Sequence, residues 1–250
     1  MKTVYIFDVD GTMTEPRQKV TDEFANYFKK WSVGRDLYIS TGSDFKKTKE
    51  QLGTELLMLF REIYCCMGNE TRLPDETIIK QRDFVIPDAL EVTLNNFLKE
   101  SICPLKTGNH IELRTGMINF STVGRNANKI ERLNYNNWDK ESKEREKIAN
   151  YINLNFPLLE ASVGGSISID IIEKGRDKGQ VVKHLIAAGV ERIVFYGDKC
   201  SKGGNDYGII RELEYSNIEY QWTNISGPDF LLNILKAESC RKEQKVSYLV

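Results

Sequence analysis

Two short acidic segments of the chain combine closely spaced carboxylates with glycine. The segment FDVDGT places Asp8 and Asp10 two residues apart, directly after a short apolar run. The segment YGDKCSKGGND supplies Asp198, Asn205 and Asp206 around a glycine-rich loop. Carboxylates held together disfavour one another's charge unless a cation is present, and oxygen ligands are typical of Mg²⁺. The two segments therefore predict one magnesium site, provided that the strands preceding them are near neighbours.

Both acidic segments also have a simpler interpretation. The first could be a turn that happens to carry two aspartates, and in the second Asn205 could be the N-cap of a helix. The complete D-x-D-G-T string after a strand favours the chemical interpretation of the first segment.

Two further segments could bind a phosphoryl group. The turn STGSD carries the hydroxyls of Thr41 and Ser43, and GRDKG carries Lys178. Hydroxyls, backbone N–H groups at a helix N-terminus and an ammonium group are all suited to phosphate. Ser43 is equally suited to cap a helix, and a lone lysine is usually solvated. These residues therefore indicate phosphate chemistry only in combination with the acidic segments.

The elements that position these segments alternate between strand and helix. Apolar runs at residues 4–7, 36–40 and 192–196 read as buried strands, and each ends just before a chemical segment. Helices are predicted at 21–31, from 43 or 44 onward, and at 178–188, 205–213 and 228–236, with a further strand at 218–222. This rhythm predicts a parallel sheet with helical crossovers, whose ligands bind at the carboxyl ends of the strands.

The middle of the chain has a different pattern. A helix is predicted at 89–98, a hairpin at 110–114 and 117–120, a long charged helix at 139–156, and strands at 159–163 and 166–172. Hairpin strands covered by helices indicate an antiparallel α+β unit. The sequence therefore predicts an α/β core formed by residues 1–81 and 178–250, interrupted by an α+β domain at residues 82–177.

Composition excludes several classes of protein. The 250 residues include 35 Lys and Arg against 36 Asp and Glu, so no global field attracts nucleic acid or an anionic membrane. Only two histidines are present, which excludes a multi-histidine metal site. No run approaches the roughly 20 apolar residues of a membrane span, and the apolar N-terminal stretch is too short for a signal peptide. We expect a cytoplasmic enzyme.

In this order, and on an interrupted α/β core, the segments resemble the haloacid dehalogenase (HAD) superfamily of phosphotransferases. More narrowly, FDVDGTMTEPRQKV, IELRTGMINFSTVGR and GGSISID are similar to sequence blocks of the eukaryotic-type phosphomannomutase family. The resemblance implies a HAD-like, Rossmann-type parallel-sheet core with an inserted α+β cap of type C2b. It also implies interconversion of mannose 6-phosphate and mannose 1-phosphate, with glucose phosphates as further possible substrates.

The resemblance assigns catalytic roles to the acidic segments. Asp8 would be the nucleophile that forms an aspartyl phosphate, and Asp10 the general acid and base. Asp8, the carbonyl of Asp10, and Asp198 would hold Mg²⁺, with Asp206 as a ligand or directly behind the ligands. Lys178 would face the transferring group, which is chemically sensible because phosphoryl transfer depends on positioning and charge neutralisation.

The resemblance also assigns the substrate contacts. Arg17 in the core and Arg114, Arg125 and Arg132 in the cap would contact phosphate, and Ser168 and Asp170 the hexose hydroxyls. A mutase must hold one phosphate at its nucleophile and a second one elsewhere. Arginine suits that second phosphate because it binds phosphate through two hydrogen bonds.

The resemblance further implies hexose 1,6-bisphosphate as activator and a homodimer formed through the cap. Two alternatives remain open at this point. One is a sugar-phosphate phosphatase of the HAD superfamily with the same nucleophile. The other is a non-catalytic sugar-phosphate-binding module, which predicts loss of an acid at position 8 or 10, where both are present.

Overall fold

The computed structural model describes the backbone of residues 2–247 and the side chains of residues 2–239. Residues 1 and 248–250, which the sequence assigns to the core, lie outside this range. The described chain contains eleven strands and eight α-helices. In order they are β1 (Thr3–Phe7), α1 (Asp22–Trp31), β2 (Asp36–Ser40), α2 (Phe45–Leu57), β3 (Glu62–Cys65), β4 (Glu70–Arg72), β5 (Ile78–Gln81), α3 (Asp88–Glu100), β6 (Ile111–Arg114), β7 (Met117–Phe120), α4 (Lys129–Ser142), α5 (Glu144–Asn155), β8 (Leu159–Gly164), β9 (Ser168–Glu173), α6 (Gly179–Ala187), β10 (Arg192–Gly197), α7 (Tyr207–Glu214), β11 (Glu219–Asn224) and α8 (Pro228–Ser247).

A seven-stranded sheet, the large sheet, has the strand order β11-β10-β1-β2-β3-β4-β5. Its first five strands in this order are parallel, and β4 and β5 continue it in antiparallel pairing. The strands predicted from the sequence are β1, β2, β10 and β11, which confirms the α/β fold class. The apolar character of β1, β2 and β10 reflects strands that are covered on both faces of the sheet, whereas β11 at the edge is largely exposed.

Helices cover the two faces of the large sheet through separate apolar clusters. On one face Phe7 and Ile39 pack with Phe28 and Trp31 of α1 and with residues of α2 and α8. On the other face the strands pack against α6 and α7, for example at Val182. Alternate residues of β1 therefore enter different clusters, as the two-residue period of a strand requires. This packing covers β1 on both faces of the sheet.

A four-stranded antiparallel sheet, the small sheet, has the order β6-β7-β9-β8. The predicted hairpin is present: Arg114 pairs with Met117, and Gly116 adopts the left-handed φ of 67° that this tight turn requires. One face of the small sheet packs against α3 and α5, with Leu94 and Ile152 in contact with Phe120 and its neighbours. The other face is turned toward the carboxyl-terminal edge of the large sheet.

The prediction of one long helix at 139–156 is wrong. Two helices, α4 and α5, meet at Lys143, which has a left-handed φ of 56°. The carboxylate of Asp139 accepts hydrogen bonds from the backbone N and the Nε of Arg145 (2.9 and 2.7 Å), and these bonds stabilise the turn between the helices. The helix α4 also begins earlier than predicted, at a capping box formed by Asn128 and Glu131.

The last helix also differs in length, because the backbone of α8 continues to Ser247 rather than ending at residue 236. Among the residues described, no helix combines the length and the apolar character needed to cross a membrane.

Candidate active site

Three neighbouring strands deliver the chemical segments to one edge of the large sheet. Strand β1, the middle one of the five parallel strands, pairs with β10 on one side and β2 on the other. Asp8 continues this pairing, because its backbone N donates to the carbonyl oxygen of Tyr196 at 2.9 Å. The end of β10 leads into Asp198, and the end of β2 leads into Thr41 and Ser43. The sequence required the strands before the acidic segments to be near neighbours, and they are directly adjacent.

A buried lysine lies between two of the aspartates. Lys178 is fully buried, and its Nζ donates to Asp8 Oδ1 and to Asp206 Oδ1, each at 2.6 Å. Burial opposes the charged form of Lys178, but the carboxylates of Asp206 and Asp8 outweigh it and raise the pKa of the ammonium above its ordinary value. The second oxygen of Asp8, Oδ2, is buried and has no hydrogen-bond partner within the described chain. Lys178 therefore fixes the Asp8 carboxylate and leaves one oxygen free to react.

Three carboxylates, one of them that of Asp8, lie close together at this edge of the sheet. Asp8, Asp198 and Asp206 each have an oxygen within 4.8 Å of the others. Burial first, and then the neighbouring carboxylate of Asp206, raise the pKa of Asp198 to about 7. Burial also raises the pKa of Asp8, against the effect of Lys178. Lys178 and the more exposed Lys199, which lies 3.5 Å from Asp198, do not compensate three carboxylates, so the cluster is suited to bind a divalent cation through oxygen.

A glycine makes this crowding possible. Gly11 has a left-handed φ of 87°, and a Cβ atom at this position would lie 2.6 Å from Asp198 Oδ2. Any side chain would therefore displace Asp198 from the acidic cluster. The glycine of the D-x-D-G-T string serves both the turn and the close approach of the second acidic segment.

The carboxylate of Asp10 points away from the acidic cluster and is held by three donors. Its Oδ1 accepts from the backbone N of Arg17 (2.8 Å) and from Gln51 Nε2 (2.9 Å). Its Oδ2 accepts from Ser43 Oγ at 3.1 Å. If Asp10 contributes to a cation site, it does so through its backbone carbonyl, and its side chain stays available for proton transfer.

The choice between Ser43 and Asp44 as helix cap is resolved by the hydrogen bonds of α2. The Asp44 carboxylate accepts from Lys47 N at 2.8 Å and is the N-cap. The hydroxyl of Ser43 is thereby free to contact Asp10, and Thr41 Oγ1 accepts from the backbone N of Ser43 at 3.1 Å. Thr41 and Ser43 both line the pocket described below.

The predicted arginines form a second, positively charged group opposite Asp8. Glu112 lies between two of them and accepts from Arg114 Nε (2.6 Å) and from Arg125 Nε (2.9 Å). The Nη1 atom of Arg125 also donates to Ser168 Oγ at 2.5 Å. Arg132 is tied to the same place, since its Nη2 donates to the carbonyl oxygen of Arg125 at 2.9 Å.

The arginine group has more cations than anions. Burial, followed by the charge of Arg114, lowers the pKa of Arg125 to about 10. Burial, followed by the charges of Arg17 and Arg125, lowers the pKa of Arg132 to about 10 as well. Even so, both guanidinium groups stay charged at neutral pH, and among the residues whose side chains are described only Glu112 forms a direct ion pair with an arginine of this group. The group is therefore suited to bind a dianion such as a phosphate ester.

Four of the hydrogen bonds that join the small sheet to the core lie at or near the pocket. Arg17 Nη1 donates to the carbonyl oxygen of Arg125 (3.1 Å), and Arg114 Nη1 to that of Gly42 (2.7 Å). The backbone N of Val163 donates to the carbonyl oxygen of Gly203 at 2.9 Å. The fourth bond joins Asn205 Nδ2 to Asp170 Oδ2 at 3.4 Å.

The interpretation of Asn205 as a helix cap is wrong. The helix α7 begins at Tyr207, its N-cap position is Asp206, and no side chain caps it. The Asn205 side chain is directed across the pocket to Asp170 instead.

The resulting pocket brings together nearly all of the residues predicted from the sequence. Lys178 and Asp206 are exceptions, because they lie behind Asp8 and do not line it. The predicted residues that do line it are Asp8, Asp10, Arg17, Thr41, Ser43, Arg114, Arg125, Arg132, Ser168, Asp170 and Asp198.

Sequence reasoning missed three residues of the site, namely Gln51, Glu112 and Asn119. Gln51 orients Asp10, Glu112 orients two arginines, and Asn119 lines the pocket beside Asp170. Each is a polar residue at a position where its element is buried or half-buried. A polar side chain in the inward-facing phase of a helix or strand is the signal that could have identified them.

Comparison with known proteins places this chain in a family. The family profile described as eukaryotic phosphomannomutase matches residues 22–226. The chain is 35% identical to a phosphomannomutase of Encephalitozoon cuniculi, over 91% of this chain and 90% of that protein. It is 33% identical to phosphomannomutase 1 of Dictyostelium discoideum, over 84% and 87% of the two chains. The crystal structure of a haloacid dehalogenase-like hydrolase from Bacteroides thetaiotaomicron shares the fold, with a TM-score of 0.56, 12% identity, and coverage of 95% of this chain and 99% of that one. The protein belongs to the eukaryotic phosphomannomutase family.

Proposed function

We propose that the protein is a Mg²⁺-dependent mutase that interconverts mannose 6-phosphate and mannose 1-phosphate, with glucose phosphates as further substrates. The observation that carries the proposal is that two separate groups of residues suited to bind phosphate line one pocket. One group surrounds Asp8 at the edge of the large sheet, and the other is the arginine group beside the small sheet. We assign residues 1–81 and 178–250 to the catalytic core and residues 82–177 to the cap.

In this mechanism the phosphoryl group is carried by Asp8. The free Oδ2 of Asp8 attacks the phosphorus of a sugar phosphate, and the bond between that phosphorus and the sugar oxygen breaks. Asp10 gives a proton to the departing sugar oxygen. In the reverse step Asp10 removes the proton from a sugar hydroxyl, whose oxygen attacks the phosphorus of the aspartyl phosphate. The three donors to Asp10 support this role because they hold its carboxylate in one orientation.

Asp8, the carbonyl of Asp10, and Asp198 would hold Mg²⁺, with Asp206 as a ligand or directly behind them. The ion would neutralise negative charge on the transferring phosphoryl group. Lys178 neutralises the charge of Asp8 and Asp206 from the opposite side and keeps the nucleophile in place. Thr41 and Ser43 complete the site of the reacting phosphate.

The arginine group would hold the phosphate at the other end of the hexose. Arg17, Arg114, Arg125 and Arg132 supply the charge, and Ser168 and Asp170 contact hexose hydroxyls. Hexose 1,6-bisphosphate would prime the enzyme by phosphorylating Asp8, and it would also be the intermediate that reverses its orientation between the two half-reactions. We further propose a cytoplasmic location and a homodimer formed through the cap.

A single assay tests the mutase activity. The purified protein is incubated with mannose 1-phosphate, Mg²⁺ and a trace of hexose 1,6-bisphosphate, and both mannose 6-phosphate and inorganic phosphate are measured. We expect isomer without stoichiometric phosphate, and loss of all activity in Asp8→Asn, because an amide is not a nucleophile. Stoichiometric phosphate without isomer would contradict the proposal and identify a phosphatase.

The second phosphate site has its own test. Arg132→Ala should reduce isomerisation far more than it reduces hydrolysis of a small aryl phosphate, which has no second phosphate to bind. Arg82→Ala is the matched control, because Arg82 is exposed and does not line the pocket. Equal losses of both activities in Arg132→Ala would show that the arginine does not hold a second phosphate.

A further inference from the structure

A row of polar side chains crosses the inner face of the small sheet. Glu112 of β6 pairs with Asn119 of β7, Asn119 pairs with Asp170 of β9, and Asp170 pairs with Ser162 of β8. The adjacent residues of β7 and β9 belong to the apolar cluster on the opposite face. Asn119 is the most enclosed polar group of this row that has no assigned role, with 3% of its surface exposed.

The chemistry of Asp170 fixes the orientation of the Asn119 amide. Asn119 Nδ2 lies 2.6 Å from Asp170 Oδ1. A carboxylate only accepts hydrogen bonds, so the nitrogen of the amide must face it and the oxygen must lie on the other side. That oxygen, Oδ1, is buried and has no hydrogen-bond partner in the described part of the chain.

Burying a carbonyl oxygen without a hydrogen-bond partner costs free energy, so we expect a ligand to supply the partner of Asn119 Oδ1. Asn119 lines the pocket together with Ser168, Asp170 and Arg125. The missing partner must be a donor, because the group to be satisfied is an acceptor. A hydroxyl of a polyhydroxylated ligand in this pocket is a donor of the right kind.

We propose that Asn119 is a specificity-determining residue whose Oδ1 accepts a hydrogen bond from a ring hydroxyl of the hexose. The proposal rests on the mutase function above and adds to it a second hydroxyl acceptor beside Asp170. A hydroxyl has a single proton, so one hydroxyl cannot donate to both acceptors. Asn119 and Asp170 must therefore bind two different hydroxyls, and the pair selects a sugar over a phosphate ester that has only one.

The test compares mannose 1-phosphate with its 2-deoxy, 3-deoxy and 4-deoxy analogues. The kcat/KM for isomerisation is measured with each substrate for the wild type, Asn119→Ala and Asn119→Ser. We expect both variants to lose about tenfold in kcat/KM with mannose 1-phosphate, the size expected for one buried hydrogen bond. With the analogue that lacks the hydroxyl bound by Asn119, the variants and the wild type should have the same kcat/KM.

Two control variants separate direct contact from positioning of Asp170. Asp170→Asn should match the wild type in kcat/KM only with the analogue that lacks the hydroxyl bound by Asp170, and this identifies that hydroxyl. The Asn119 variants must match the wild type with a different analogue. Ser162→Ala removes the other neighbour of Asp170 in the row, which does not line the pocket, and should leave all four kcat/KM values unchanged. Hydrolysis of a small aryl phosphate shows whether each variant retains an intact nucleophile and fold.

The outcomes distinguish this proposal from the mutase function. If the wild type isomerises none of the substrates, the proposed function fails. If it isomerises them, three results would show that Asn119 is not a hydroxyl acceptor. The Asn119 variants could lose kcat/KM equally with all four substrates, or lose none with mannose 1-phosphate. They could also match the wild type only with the analogue that lacks the hydroxyl bound by Asp170. A crystal structure of Asp8→Asn with mannose 1-phosphate decides the question even if the Asn119 variants do not fold. An Asn119 Oδ1 within about 3.2 Å of a hydroxyl oxygen supports the contact, and a longer distance overturns it.

Discussion

Replacing Asp198 by asparagine should make the metal-free protein more stable at alkaline pH. Asp198 lies in a cluster with two other carboxylates, and burial together with Asp206 raises its pKa from 3.8 to about 7. A carboxyl group with a raised pKa in the folded state contributes stability that is fully present below its unfolded pKa. This contribution is lost as the pH rises to about 7. An asparagine has the same shape and carries no charge, so the loss should be absent in the variant.

The magnitude follows from the size of the pKa change. At about 1.4 kcal/mol for each pKa unit, the difference between 3.8 and about 7 corresponds to about 4 kcal/mol above pH 7. The substitution also removes the contact between Asp198 and Lys199 at 3.5 Å, but Lys199 is exposed enough for that pair to contribute little. We therefore expect Asp198→Asn to gain about 2–4 kcal/mol over the wild type at pH 8 in the absence of metal.

The assay is denaturant unfolding in a chelator between pH 4 and pH 8, repeated with Mg²⁺. The free energy of unfolding of the wild type should fall across this range, and that of Asp198→Asn should fall much less. Added Mg²⁺ should restore the wild type, because the ion compensates the carboxylates, and should stabilise Asp198→Asn less. Asp83→Asn is the matched control, because Asp83 is exposed and lies outside the acidic cluster.

Two results would refute this reasoning. One is a metal-free wild type whose free energy of unfolding falls between pH 4 and pH 8 no more than that of Asp198→Asn. The other is equal stabilisation of both proteins by Mg²⁺, which would show that Asp198 does not take part in cation binding.

Three further changes test other parts of the site. Lys178→Met should lower the free energy of unfolding by about 3–5 kcal/mol, because it leaves two buried carboxylates unpaired; a smaller effect in urea unfolding at pH 7 would mean that they are not charged together. Glu112→Gln should have a lower free energy of unfolding than the wild type above pH 5. Burial opposes the charge of Glu112, but the neighbouring cations outweigh it and lower the pKa of Glu112 to about 2. The stability that the charged carboxylate contributes is therefore present above the unfolded pKa and is lost only as the pH falls toward 2. Inorganic phosphate should raise the Tm of Glu112→Gln more than that of the wild type, and an equal rise would contradict a counterion role. Gly164→Ala should reduce kcat/KM for isomerisation at least tenfold with the fold retained, because its Cβ would lie 2.2 Å from Asp170 Oδ2; unchanged kinetics would show that Asp170 can move without consequence.

The sequence predicted the strands β1, β2, β10 and β11 of the large sheet and its acidic edge because these depend on local patterns, whereas it did not predict β3, β4 and β5, which are only three or four residues long. Each buried strand is a short apolar run, and each chemical segment follows its strand directly. The order Asp8, Ser43, Lys178, Asp198 along the chain, combined with right-handed crossovers of a parallel sheet, is enough to bring these residues together. No knowledge of side-chain contacts is needed for that step.

The break between α4 and α5 could not be predicted from local patterns. Lysine rarely adopts a left-handed conformation, and the residues around Lys143 are good helix formers. The turn is stabilised by a buried ion pair between Asp139 and Arg145, which are only six residues apart but not on one face of a continuous helix. Tertiary packing overrides helix propensity here.

The roles of Asn119 and Glu112 depend on the register of the small sheet. Asn119 meets Asp170 because β7 pairs with β9, which is 51 residues away in the sequence. The sequence indicates an antiparallel unit but not which strands are neighbours. Side-chain partners across such a sheet therefore become visible only once the strand order is known.

The position of β1 has a consequence for how the chain must fold. Strand β1 is the middle one of the five parallel strands of the large sheet, yet its partner β10 (Arg192–Gly197) is synthesised much later than β1 (Thr3–Phe7). Until then one long edge of β1 has no partner, whereas the strands of the small sheet, residues 111–173, are complete well before β10 appears. We expect the small sheet to fold first and the nucleophile to remain in an unfinished sheet until late in synthesis. The exposed apolar edge in that interval makes the nascent amino-terminal half the part of this protein most dependent on chaperones.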